Sequence, residues 1–476
     1  MVTLMIIAFV VGYIFIAIEH DIGMNKAATA IVLGMTLWVM YMFCGADVIS
    51  GENASQFEHF IAANPEYKSL GIAKQCVKFV ANSQIVEYLG EFSQIIFYLI
   101  GAMTIVELID VHGGFSVVTN RITTSNKRKL LWILAIITFF MSAILDNLTT
   151  AIVMTMLLRK MVAVKKERWL YASIIIIAAN SGGAWTPTGD VTTIMLWINE
   201  NVTTLSLLKD LFLPSFVSML IPLIIVSKAL GGGKVEKPAI TYKQNASTIM
   251  SSRERLTILV LGISAFLCVP IFKAVTNLPP FMGVLFALGI IWIYMEILYN
   301  GKKEIPSAQQ FRIQNILGRI DITTILFFVG ILMAVAALQS AGVLKSVSEF
   351  LDANVRNVYV INTIIGMLSS ILDNVPLVAG AMGAYSMPTH EAALAAPDAA
   401  YLINFVQDGI FWKTLAYCAG VGGSILIIGS AAGVVVMGLE KITFVWYMKR
   451  ISLLALLGYL GGIMTYVAQM WIAGTL

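Results

Sequence analysis

The chain has 476 residues, of which 58% are hydrophobic and only 12% charged, with a formal net charge of +4. Soluble domains carry roughly 25% charged residues, and the mean hydropathy here is +0.85, so a water-soluble globule is excluded. No nucleic-acid partner is expected. The informative quantity is where the Lys and Arg lie, because they mark the cytoplasmic side of a membrane protein.

Apolar stretches near the ~20 residues that cross a hydrocarbon core recur along the chain. In order they are 2–18, 27–45, 91–111, 169–198 (interrupted), 210–228, 256–274, 281–299, 321–341, 409–440 (interrupted) and 452–474. The first lacks the basic start and small-residue cleavage site of a signal peptide, and reads as a retained transmembrane helix. The expected fold class is therefore an all-α polytopic membrane protein, multi-pass in a cell membrane such as the bacterial inner membrane. Cys44, Cys76, Cys268 and Cys418 form neither a CxxC pair nor a Cys/His cluster. No zinc or haem site, no other cofactor and no enzymatic activity are expected, and no disulfide is inferred.

Two segments between these spans share a tetrapeptide, Ile144-Leu145-Asp146-Asn147 and Ile371-Leu372-Asp373-Asn374. In the first segment, 130–160, the arm Leu148–Leu158 covers about 16 Å, roughly half the core. Arg121, Lys127, Arg128 and Lys129 precede the segment, and Arg159, Lys160, Lys165, Lys166 and Arg168 follow it. Positive charge at both ends predicts a re-entrant hairpin that enters from the cytoplasm and turns at Asp146-Asn147. The cytoplasmic segments of this layout (19–26, 121–129, 159–168, 228–255, 302–319 and 441–450) hold 23 of the 31 Lys and Arg. The stretch 386–408 has neither, and carries Glu391, Asp398 and Asp408, so it is expected outside. The second hairpin, 356–385, then enters from outside, and the N-terminus is external.

Each half holds five crossings and one hairpin, and the odd count inverts the second half. The expected organisation is a first inverted repeat at 1–228, a basic linker at 229–254 and a second inverted repeat at 255–476. Short matches in the same order support this: Phe97–Gly101 with Phe327–Gly330, the two Ile-Leu-Asp-Asn motifs, Gly182-Gly183-Ala184 with Gly422-Gly423-Ser424, and Gly189-Asp190 with Gly429-Ser430.

An intramembrane carboxylate is costly and is by default a functional candidate. For Asp146, Asn147, Asp373 and Asn374 the competing reading is N-capping, which would not favour a charge over Ser in a membrane. The segments 180–190 and 420–433 are rich in helix-breaking Gly, with Pro187 in the first. Broken helices expose backbone carbonyls and half-helix ends, the material of transporter ion sites; close packing through small residues is the competing reading. The combined expected site holds Asp146, Asp373 and Asp190, the amides of Asn147 and Asn374, and hydroxyls of Thr149, Thr150, Thr186, Thr188, Ser424 and Ser430. It contains no Lys, Arg or His. Such an oxygen-rich, anionic set suits a hard cation. Adjacent carboxylates disfavour joint ionisation, so protons carried on Asp146, Asp373 and Asp190 would compete with the cation. Glu107, Asp110 and His112 end the third span, either as pH-sensing groups or as a solvated helix end. His20, His59 and His390 fall in expected loops.

At these residues the chain resembles the ion transporter superfamily, which includes arsenite, dicarboxylate and NhaD-type transporters. Gly182-Gly183-Ala184-Trp185-Thr186-Pro187-Thr188-Gly189 is similar to its Gly-Gly-x-x-Thr-Pro-x-Gly signature, while Ser424–Ser430 in the second half lacks the Thr-Pro. Leu145-Asp146-Asn147-Leu148-Thr149-Thr150 and Thr186–Asp190 resemble the NhaD-type sodium/proton antiporters in particular. The resemblance implies exchange of Na⁺ or Li⁺ for H⁺ by alternating access, in a homodimer using 1–45 and 210–300 as scaffold. The alternative is an anion transporter of the same superfamily, for arsenite or dicarboxylate, against which the three acids argue. An intramembrane aspartyl protease is excluded by the absence of its Gly-x-Gly-Asp motif, since Pro187 stands at the first Gly position before Asp190.

Overall fold

The structure, a computed structural model, describes residues 1–17, 24–115, 117, 124–236, 250–302, 310–371 and 374–474. The described residues are helical apart from turns and one isolated bridge, Asn126 with Lys234. Six of the helices are long and apolar enough to cross a membrane: 72–111, Thr204–Ala229, Ser252–Thr276, Pro280–Asn300, Ile322–Ser340 and Ser452–Ile472. Val2–Ala17 and Lys26–Met42 are shorter and equally apolar. Helices occupy all the expected spans.

The boundaries follow local chemistry. Asn25, Asn126, Thr203 and Ser251 each turn a side-chain oxygen onto a free N–H of the helix they open. Residues 233–236 of the linker are bonded back to the chain on either side of 130–160, with Lys127 N to Gly233 O at 3.0 Å and Ala163 N to Glu236 O at 2.8 Å. The rest of the linker, 237–249, lies outside the described residues.

Several stretches read as loops are helical. The segment before the third span holds Ala46–Glu52, Ala54–Ala63 and Ile72–Phe79. The last runs through a π-helical turn, Val80–Gln84, into Ile85–Val111, so this span starts well before residue 91. Its amphipathic beginning, with Lys74 and Lys78 among apolar residues, hid it from a search for apolar runs. Val343–Asn354, His390–Ala395 and Phe444–Arg450 are further helices of this kind. His59 and His390 therefore lie on helices, and His20 lies outside the described residues.

The chain forms two compact units: 1–97 with 321–357 and 375–386, and 98–320 with 358–374 and 387–476. In the first, helix Lys26–Met42 packs along Ile322–Ser340; a Cβ on Gly330 would meet the backbone of Ala30 at 2.4 Å. The second unit holds helices Lys127–Ser142 and Asn147–Met161, joined at 143–146. It also holds both broken helices, Lys165–Gly183 with Val191–Ile198, and Ile410–Gly422 with Ala431–Glu440. Helices Val358–Leu368 and Asn374–Ala384 flank the second tetrapeptide. Its Leu372 and Asp373 lie outside the described residues.

The matched motifs make matched contacts in the second unit. Ser142 Oγ donates to Ala179 O at 2.6 Å, and Ser369 Oγ donates to Ala419 O at 2.9 Å. A Cβ on Gly182 would lie 2.2 Å from Phe139 O, and one on Gly422 would lie 2.1 Å from Gly366 O. Both serines stand four residues before a motif Asp, and both glycines begin a Gly-Gly pair. These approaches are backbone against backbone and leave nothing flexible to move. Gly182→Ala and Gly422→Ala should each destabilise the protein by about 1–3 kcal/mol or more, as overpacking does. Gly289→Ala, where a Cβ meets nothing within 4 Å, should be neutral or stabilising because Ala favours helix. Thermal unfolding in detergent would check this, and equal effects at all three sites would contradict it.

Candidate functional site

Asp190 is the hub of a buried polar cluster in the second unit. It caps helix Val191–Ile198, accepting from Thr192 N at 3.2 Å on Oδ1. Its carboxylate also receives two side-chain amides: Asn147 Nδ2 at 2.9 Å on Oδ2, and Asn374 Nδ2 at 3.3 Å on Oδ1 and 3.2 Å on Oδ2. Only 2% of Asp190 is exposed. In an apolar interior such a carboxylate needs these donors, since an unpaired buried charge is very costly.

A third amide, from Asn180, extends the network. Asn147 Nδ2 also donates to Asn180 Oδ1 at 3.1 Å, and Asn180 Nδ2 donates to Ser424 Oγ and Ser430 Oγ, both at 2.9 Å. Ser430 in turn accepts from Gly433 N at 3.1 Å as the cap of helix Ala431–Glu440. Hydrogen bonds thus join the first tetrapeptide, both broken helices and Asn374. Among the described residues, no Lys, Arg or His side chain is hydrogen-bonded into this cluster.

The expected site residues divide. Asn147, Asp190, Asn374, Ser424 and Ser430 come together. Asp146 is oriented differently: both its oxygens turn to Thr149, accepting from its N at 2.7 Å and its Oγ1 at 2.8 Å. Capping therefore describes Asp146, which also takes φ 145°, a conformation largely reserved for Gly and stored at functional turns. Capping does not describe Asn147 or Asn374, whose amides point to Asp190. Thr186 and Thr188 donate to Ala143 O at 2.6 and 3.3 Å, pinning the break against residue 143. The hydroxyls of Thr150 and Thr192 are buried with no hydrogen-bond partner among the described residues, which leaves oxygen capacity beside the cluster. Asp373 lies outside the described residues.

Glu107, Asp110 and His112 do not join the cluster. Glu107 pairs with Arg319 at 3.0 Å, and Asp110 is exposed. His112 is not a solvated helix end: it is buried, with Nδ1 2.7 Å from Leu108 O and Nε2 2.7 Å from Tyr299 Oη. A carbonyl only accepts, so Nδ1 bears the proton and Tyr299 donates to Nε2. Burial lowers the basicity of this imidazole.

Two features escaped the sequence reading. Asn180 was treated only as the start of a break, although an amide closing the run Ile174–Ala179 was a visible signal. Arg159 and Arg168 meet at the buried carboxylate of Glu440; the arginines had been absorbed into the basic clusters read as marking the cytoplasmic side.

Comparison with known proteins shows the family of the chain. The family described as citrate transporter, CitMHS, matches residues 13–404. Sodium/proton antiporter 1 of Arabidopsis thaliana is 41% identical, over 98% of this chain and 72% of its own length. Sodium/proton antiporter 2 of the same plant is 39% identical, over 98% and 99%. The Na⁺/H⁺ antiporter NhaD of Vibrio cholerae is 27% identical, over 97% and 90%. All three are named as transporters rather than enzymes. Matched across most of its length by both the family and these relatives, the chain belongs to the CitMHS transporter family and groups with the NhaD-type sodium/proton antiporters.

Proposed function

We propose that the protein exchanges Na⁺ or Li⁺ for H⁺ across a cell membrane, a bacterial inner membrane in our reading, by alternating access to the Asp190 cluster. The observation that carries this is the Asp190 carboxylate, buried in an apolar protein and bonded by the amides of Asn147 and Asn374, with no cationic side chain hydrogen-bonded into the cluster among the described residues. A hard cation finds oxygen ligands there, and a proton finds the same carboxylate. Asn147 and Asn374 can each turn an amide oxygen toward a cation in place of the N–H, so the cluster can answer either charge state. Thr150 and Thr192 offer further oxygens. Asp146, Asp373 and Asp190 remain the proposed proton carriers, and Thr188 stays in the proposed cation set as a neighbour that positions the break.

The layout proposed around this site is two inverted repeats, 1–228 and 255–476, each with a re-entrant hairpin and a broken helix. The paired serine and glycine contacts support it, because unrelated segments have no reason to repeat them at matched offsets. A homodimer is part of the same reading. The family's description as citrate transporters favours anion transport as the second reading. Citrate carries several negative charges, and the cluster offers only a carboxylate and neutral donors.

Adding Na⁺ or Li⁺ to acid-loaded proteoliposomes should release protons, read by a pH dye, while K⁺ should do little. A citrate-, succinate- or arsenite-driven signal without any Na⁺ response would instead establish the anion reading.

Asp190→Asn should lower exchange by more than about tenfold while the protein still inserts and folds, because Asn can occupy the cap but cannot titrate. Asp146→Asn should also impair exchange if that residue carries a proton. Near wild-type rates in Asp146→Asn would leave it as a cap for Thr149, and near wild-type rates in Asp190→Asn would remove the basis of the reading.

Cysteines placed at Ser125 and at Lys165 should label only from the cytoplasmic side, since positive clusters flank both ends of the hairpin. Labelling from opposite sides would show a spanning helix.

A further inference from the structure

The three helices that supply Asn147, Asn180 and Ser430 carry a second polar layer at their other ends. Asn147 opens helix Asn147–Met161, and Arg159 lies near its end. Arg168 lies near the start of helix Lys165–Gly183, and Asn180 near its end. Ser430 caps helix Ala431–Glu440, and Glu440 is its last residue. At 1.5 Å per residue the two layers are about 15–18 Å apart. In the second layer Arg159 Nε donates to Glu440 Oε1 at 2.7 Å and Arg168 Nε donates to Oε2 at 2.6 Å. Trp169 Nε1 donates to the Glu440 carbonyl at 3.0 Å. Between the layers the helices meet through fully buried Ala151, Met154 and Leu158, Ile175, and Ala432 and Val436. Two polar residues, Thr155 and Ser173, are also fully buried on these helices between the layers, with Ser173 Oγ donating to Trp169 O at 2.8 Å, so the layer is mainly but not wholly apolar.

We propose that Arg159, Arg168 and Glu440 form a charge latch that seals the Asp190 cluster from the face bearing the basic clusters, and that the latch parts when the site opens to that face. The inference rests on the exchange reading, since a carrier with alternating access needs its site closed to one side at a time. Two observations and two general properties of buried ion pairs favour a latch over a permanent strut. Glu440's side chain is 0% exposed while Arg159's is 42% exposed, so one bond of the group already borders water. A buried ion pair is a poor way to add stability compared with apolar packing, and its best-attested use is to specify one of two arrangements. The attraction is also strong only while the group stays dry. Entry of water weakens it at once, so the closed and open arrangements are separated cleanly. Each member sits on a different one of the three helices, so the bonds cannot survive their separation.

The test uses the full-length chain in oriented proteoliposomes, with a cysteine at Ala151 in the apolar layer. A membrane-impermeant maleimide is applied from the basic face, and modification at residue 151 is read by peptide mass spectrometry, so the native cysteines can stay. Glu440→Gln and Arg168→Gln should each raise the labelling rate at least tenfold. The triple variant Arg159→Glu, Arg168→Glu and Glu440→Arg inverts every charge of the group, placing one cation between two anions, and should return the rate to near that of the parent. An unchanged rate in Glu440→Gln overturns the latch. So does a charge swap that labels as fast as Glu440→Gln, because that result assigns the effect to packing rather than to paired charge. If Glu440→Gln fails to fold, Arg159→Gln, which removes only the half-exposed partner, decides: at least a threefold rise supports the latch and no rise overturns it. Labelling requires no ion exchange, so the absence of a Na⁺-driven signal in the parent would reject the exchange reading by a separate route.

Discussion

A carboxylate buried in an apolar protein must be supplied with hydrogen-bond donors, and the fold of the second unit is arranged so that Asp190 receives them. Among the described residues its donors include backbone N–H of its own helix and two side-chain amides, from Asn147 and Asn374. Those amides stand where a helix begins after a break, so the chain can bring them together only by ending helices inside the protein. Breaks at 143–146, 184–190 and 423–430, and the glycines that let them approach neighbouring backbone, follow from that requirement.

The local chemistry of the breaks is economical. Asp146, Asp190 and Ser430 each cap the helix they precede, so at least one free N–H at each of three interior helix starts is satisfied by the chain itself. Thr186 and Thr188 hold the first break against Ala143, and Asn180 ties that break to the second one through Ser424 and Ser430. Capping and site-building are therefore not alternatives here. Asp190 does both with one carboxylate, while Asp146 is engaged with Thr149 and leaves the contact with the cluster to its neighbour Asn147.

The same three helices are bound at both ends, by neutral amides and hydroxyls at the cluster and by ionised groups near the basic face. The two kinds of tie differ in their response to water. Amide and hydroxyl bonds exchange for water with little net change, whereas a dry ion group loses most of its attraction once wetted. The chemistry thus makes the ties at Glu440 more sensitive to water than those at Asp190.

Much of this was legible in the sequence, because membrane residence writes its constraints into composition. The ten spans, both breaks and the Asp146-Asn147 and Asp190 positions followed from apolar run length, glycine and proline, and the cost of intramembrane acids. Amphipathic helices such as Ile72–Phe79 were missed because only one of their faces is apolar. His112 was read as solvated because a helix end near charged residues usually is; its burial against Leu108 and Tyr299 depends on a contact 187 residues away in the chain. What only the tertiary structure decided was which polar groups meet. Nothing in their own segments pairs Asn180 with Ser424 and Ser430 or brings Arg159 and Arg168 to Glu440, and Asp146 and Asp190 are alike as residues. Their different partners arise because side-chain direction at a helix break depends on neighbouring helices, which sequence periodicity does not encode.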